Sequence, residues 1–103
     1  MVLFRRQLGD VLRERRMQRG MTLRQVSAEA RVSLGYISEI ERGQKEASSE
    51  LLASLCQAMD LPLSDVLRDV ADAVALEEIA IGIVGSSQIT TGRPAGDVVA
   101  SAA

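Results

Sequence analysis

The chain has 103 residues, 47% of them apolar, a formal net charge of −2 and a pI near 5.1, which suits one domain with a modest core. It has no histidine and one cysteine, Cys56, which excludes a Ser-His-Asp or Cys-His nucleophile and an internal disulfide. Phe4 and Tyr36 are its only aromatic residues, so the core must be aliphatic, a palette that favours helices packed on helices.

Apolar residues recur at helical spacing between Gly20, Gly43 and Pro62. Phe4, Leu8, Val11 and Leu12 line one stripe of a first helix that stops before "RGMT". Thr22 caps a short second helix, "LRQVSAEA", with Val26 and Ala30 inward. Ser33 caps a third, "LGYISEIERG", with Ile37 and Ile40 inward and Gly43 closing it. "EASSELLASLCQAM" reads as a fourth helix, led by a serine cap and with Cys56 as a small core residue. Pro62 suits the first position of a fifth, continued by "LSDVLRDV". A sixth apolar-periodic run extends from Val70 to Val84, and a Ser-, Thr-, Gly- and Ala-rich stretch follows. The expected organisation is therefore all-α: a compact five-helix unit over 1–69, an additional C-terminal helix over 70–84 and a flexible tail over 85–103.

The opening "MVLFRRQLGD" lacks the apolar run of a signal peptide, and no stretch reaches the roughly 18 apolar residues of a membrane span. A cytoplasmic protein with no membrane partner is expected. No metal-ligand cluster, phosphate loop or nucleophile elbow is present, so neither catalytic residue, metal nor cofactor is expected, and the protein is not read as an enzyme.

The charge is unevenly spread. Up to Lys45 there are ten Lys and Arg against five acids, a net of +5; from Glu46 onward there are two against nine, a net of −7. Affinity for a polyanion depends on the local cationic surface, so an acidic chain can still present a DNA-binding face. Arg13, Arg15 and Arg19 by themselves read as a solvated helix face. The basic half, however, coincides with two short helices joined by a tight turn, the arrangement that lays a second helix in the major groove. Ser27 is small where those helices cross, and Ser33, Leu34, Gly35, Tyr36 and Glu39 are left facing outward. Arg24 can reach phosphate or a guanine edge, Leu34 a thymine methyl, and Gly35 offers close approach. The Tyr36 phenol can bond a phosphate while its ring packs on sugar or a base methyl.

"MTLRQVSAEARVSLGYISEIERG" resembles the XRE-type (lambda-repressor-like) helix-turn-helix family, over about residues 7–69. The continuation "QKEASSELL" narrows the resemblance to the Clp-protease gene regulators of actinobacteria. The resemblance implies base-edge contacts from Ser33, Leu34, Gly35 and Glu39, with Tyr36 among them. It implies phosphate contacts from Thr22, Leu23, Arg42, Gln44 and Lys45, and a structural ion pair between Arg16 and Glu41. The turn commonly carries a glycine where this chain has Arg31; either the side chain bears left-handed strain and is retained because it points towards the DNA backbone, or the turn has another shape.

The resemblance further implies a dimeric transcription activator of Clp-protease and related proteostasis genes, bound to double-stranded DNA at an inverted-repeat operator. A single unit reads only a few base pairs, and the apolar run after the fifth helix is the candidate dimer surface, with Val70, Ala73, Val74, Leu76, Ala80 and Ile81. RNA polymerase is an implied contact of an activator. The terminal "VVASAA" resembles tags captured by Clp-type unfoldases, which makes Clp protease a second implied partner. An antitoxin or a phage-type repressor would use the same helix pair, and the residues leave that alternative open.

Overall fold

The computed structural model describes residues 3–82, and the expected tail and degradation tag lie outside them. Among the described residues five helices run in order: α1 (Phe4–Gln18), α2 (Leu23–Ala30), α3 (Leu34–Glu41), α4 (Ser49–Ala58) and α5 (Leu63–Ala80). Among the described residues there is no strand, and the fold is all-α. The chain divides into two compact units after Val74. Leu3–Val74 contains α1 to α4 and most of α5; the second unit takes up the chain at Ala75, where the last turns of α5 expose Leu76.

Three side-chain caps set where the short helices begin. Thr22 Oγ1 accepts from Gln25 N at 3.1 Å while Gln25 Oε1 accepts from Thr22 N at 2.8 Å, a reciprocal capping box. Ser33 and Ser48 cap α3 and α4 by accepting from Tyr36 N and Leu51 N. Pro62 lies one residue before α5 rather than within it, and its carbonyl accepts from Asp65 N at 3.1 Å.

The expected fifth helix and the apolar run after it form one helix, because neither Gly nor Pro interrupts residues 63–80. This changes the role of Val70. Assigned to a dimer surface from the sequence, it is only 3% exposed and belongs to the chain's own core, so it is not available to a partner. Val74, half-buried, packs against the same core.

The core is aliphatic throughout: Leu8, Val11 and Leu12 from α1, Val26, Ile37 and Ile40 from the helix-turn-helix, Leu52, Leu55 and Cys56 from α4, and Val66 and Val70 from α5. Phe4 does not join it. At the first residue of α1 it is 55% exposed, since the apolar stripe overshoots and burial starts one turn later, at Gln7 and Leu8. Cys56 is 2% exposed, and burial pushes its thiol pKa up. Arg15 is not simply a solvated residue either. Its Nε lies 2.7 Å from Asp69 Oδ2, a hydrogen bond that favours the charged guanidinium and ties α1 to α5. Arg19 donates to the Asp60 carbonyl at 3.1 Å.

Helices α1 and α3 meet at Gly9, in the interior of α1. A Cβ placed there would lie inside contact distance of the Ile40 carbonyl oxygen and 2.7 Å from that of Glu41. The two backbones touch, and only hydrogen fits between them. Gly9→Ala is expected to lose about 1–3 kcal/mol of stability although alanine is the better helix former. Urea denaturation would measure it, and an unchanged midpoint would mean that the crossing opens without cost.

Candidate nucleic-acid interface

The α2–turn–α3 segment is closed by one serine and one strained arginine. Ser27 Oγ donates to the Val32 carbonyl, and Val32 N donates to the Ser27 carbonyl at 3.2 Å, so Ser27 fastens the turn as well as fitting the crossing. Arg31 ends α2 in the left-handed region, at φ 59° and ψ 44°. The turn therefore has the shape that ordinarily takes glycine, and the arginine carries the strain.

Helix α3 buries one face and exposes the other. Ile37 and Ile40 are nearly inaccessible, while Ser33, Leu34, Gly35 and Tyr36 are exposed at its N-terminal end and Glu39 is half-buried. A Cβ built on Gly35 meets nothing within 4 Å, so this part of the surface is open. Thr22 and Arg24 are exposed at the start of α2; Leu23 between them is half-buried and packs on the core. Past α3, Arg42 donates to Ser38 Oγ and to Gln44 Oε1, and Lys45 Nζ lies 5.9 Å from the centre of the Tyr36 ring. The Tyr36 hydroxyl donates to the Glu46 carbonyl at 3.3 Å.

Behind this surface lies a bidentate ion pair. Arg16 Nε is 2.7 Å from Glu41 Oε2 and its Nη2 is 3.0 Å from Oε1, with side chains only 13% and 7% exposed. The remaining Nη1 donates to the Met21 carbonyl at 2.9 Å. The hydrogen bond to Glu41 raises the Arg16 pKa against the opposing effect of burial. Arg16 thus joins α1, the turn into α2 and the end of α3.

Of the residues assigned to a dimer surface, Leu76 is 70% and Ile81 45% exposed; Ala80 is exposed and Ala73 half-buried. Among the described residues no group of three or more His, Cys, Asp or Glu side chains could hold a metal, and no helix is long and apolar enough to cross a membrane.

These features are those of a helix-turn-helix unit, and residues 7–73 match the model of that domain. The chain belongs to the helix-turn-helix domain family. It is 60% identical over 76 residues to the transcriptional regulator ClgR of Mycobacterium tuberculosis, an overlap of 74% of this chain and 68% of that protein. The crystal structure of the clp gene regulator ClgR from Corynebacterium glutamicum superposes with a TM-score of 0.74 at 43% identity, covering 85% of this chain and 90% of that one. The restriction-modification controller protein C.AhdI from Aeromonas hydrophila, at 24% identity, TM-score 0.59 and coverage of 60% of this chain and 94% of that one, shares the fold alone. The resemblance to XRE-type proteins and to Clp-protease gene regulators therefore holds.

Sequence reasoning missed two parts of this region. Gln25, three residues after Thr22, completes a capping box that its spacing signals. Arg5, whose Nε donates to the Gly43 carbonyl at 3.0 Å, gave no local signal, because its partner is 38 residues away.

Glu41→Gln is expected to cost about 3 kcal/mol, since it leaves a largely buried guanidinium without its counter-charge. A loss under about 0.5 kcal/mol in thermal or urea unfolding would rank the pair with surface ion pairs. Arg31→Gly should act oppositely, raising stability by roughly 0.5–1 kcal/mol as the left-handed strain is relieved. If the same unfolding measurement shows a decrease, contacts of the arginine side chain outweigh the strain.

Proposed function

We propose that this chain is a sequence-specific transcriptional regulator that binds double-stranded DNA as a homodimer and activates genes for Clp proteases and related quality-control functions. The observation that carries the reading is the exposed N-terminal end of α3, with its opposite face locked into the core. Ser33, Leu34, Gly35 and Glu39 are the base-reading side of this assignment. Thr22, Arg31, Arg42, Gln44 and Lys45, with the backbone N–H of Leu23, are its phosphate-gripping side, and Arg24 reaches phosphate or a guanine edge. The similarity to the clp gene regulator of Corynebacterium glutamicum supports the choice of target genes.

In this reading Leu76, Ala80 and Ile81 belong to the dimer contact, with Ala73 beside them. The protein works in the cytoplasm without catalysis, touches RNA polymerase at its promoters, and is degraded by Clp protease through a signal in residues 85–103. The same helix pair in an antitoxin or phage-type repressor is the rival reading.

The test is a fluorescence-anisotropy titration of the purified protein with three duplexes: a Clp-protease promoter carrying an inverted repeat, the same duplex with one half-site scrambled, and a fully scrambled control. The inverted repeat should bind at least about 10³-fold tighter than the control, with half-sites roughly 34–36 Å apart. Equal affinity for the intact repeat and the single half-site would remove the dimer from the proposal. Equal affinity for all three would remove sequence-specific regulation at this operator.

A further inference from the structure

The loop after α3, residues 42–46, has no regular structure of its own, yet it is pinned from two helices. From α1, Arg5 Nε donates to the Gly43 carbonyl at 3.0 Å, and Arg5 Nη1 lies 3.7 Å from Glu46 Oε2. Gly43, at φ +74°, fits against α1 where a Cβ would lie 2.9 Å from Arg6 Cα. From α3, the Glu39 carbonyl accepts from Gln44 N at 2.8 Å. Gly43 N also donates to the Ile40 carbonyl at 3.0 Å and the Arg42 guanidinium to Gln44 Oε1 at 3.3 Å. Tyr36 adds its hydroxyl, which donates to the Glu46 carbonyl at 3.3 Å, and its ring, 5.9 Å from Lys45 Nζ.

A tyrosine that read DNA through its phenol would turn its hydroxyl outward. Here the hydroxyl donates its proton to a backbone carbonyl ten residues along the chain, and the ring lies within range of a lysine ammonium. We infer that Tyr36 is a positioning residue acting through Lys45: it holds the 43–46 loop in the shape that presents the Lys45 ammonium to phosphate. Neither contact is strong, but both fall on one short loop. A lysine already held where phosphate arrives loses less freedom on binding than one on a wandering loop. Tyr36 then governs the electrostatic grip on any duplex, not the choice of base. The inference rests on the DNA-binding reading proposed above.

A double-mutant cycle with Tyr36→Phe and Lys45→Gln tests it, with affinities measured by titration against salt on the operator and on the scrambled duplex. Tyr36→Phe removes one exposed hydroxyl and leaves the ring, so its thermal unfolding should match that of the unmodified protein. Lys45→Gln should lower the salt slope by about 0.9, the loss of one phosphate contact. Tyr36→Phe should weaken both duplexes alike, by about 2- to 10-fold, and reduce the salt slope in the same direction. In the Lys45→Gln background it should change either affinity by less than roughly 1.5-fold.

The same fold loss with and without Lys45 would overturn the inference. So would a loss confined to the operator at an unchanged salt slope, which would make Tyr36 itself a base reader. A tyrosine that only supported the fold would lower the unfolding temperature and leave the salt slope unmoved, which also overturns it. If the protein binds the operator no better than the scrambled duplex, the regulator reading fails while the cycle on the scrambled duplex still decides the role of Tyr36. If it binds neither at low salt, both fall.

Discussion

The structure turns on the crossing of α1 and α3 at backbone contact. Because Gly9 has no side chain, α1 approaches the carbonyls of Ile40 and Glu41 directly, at the C-terminal end of the helix that carries the exposed surface. That approach fixes which side of α3 is lost to solvent: Ile37 and Ile40 go inward, and Leu34, Gly35 and Tyr36 stay outside. One turn after the α1 stripe ends, Arg16 clasps Glu41 with two nitrogens and the Met21 carbonyl with a third. A sterically tight crossing sets the distance, and a nearly buried ion pair sets the register. The second adds specificity of arrangement more than raw stability, since burying both charges carries a desolvation cost that offsets much of their attraction.

Electrostatics follow the same division. The residues up to Lys45 are net +5 and those from Glu46 onward net −7, and the change of sign falls at the loop after α3. Arg5 from α1 reaches across to that loop and lies against Glu46, the first acid of the negative half, so the boundary is a contact as well as a point in the chain. A polyanion sees the nearest few charges through a screening length of about 8–10 Å, not the whole-chain total. Acidic side chains disfavour a polyanion wherever they face it.

Much of this was legible in the sequence, and the reason is locality. Thr22, Ser33 and Ser48 announce helix starts because a cap involves only the next three residues. Val26, Ile37 and Ile40 announce a buried face through helical spacing. What stayed hidden depends on partners far along the chain. Gly9 reads as a helix weakener until Ile40 is placed against it, and Arg15 as a solvated cation until Asp69, 54 residues on, is brought to it. Phe4 and Val70 were misplaced in opposite directions for one reason: periodicity gives the face of a helix but not how far along it the neighbouring helices extend. The candidate interface divides the same way. Exposure along α3 could be read from spacing, whereas the fastening of the 43–46 loop by Arg5 and Tyr36 needed the fold.

The single cysteine has a consequence of its own. Cys56 is embedded among the aliphatic side chains of the core, and burial holds its thiol in the protonated, unreactive form. Two native molecules therefore have no exposed thiol among the described residues through which to crosslink. Only a molecule whose core has opened offers a thiolate. The rate at which a thiol reagent consumes this one sulfur, under conditions where reclosing is faster than labelling, reports the fraction of molecules open at any moment. The protein carries its own gauge of how often it comes apart.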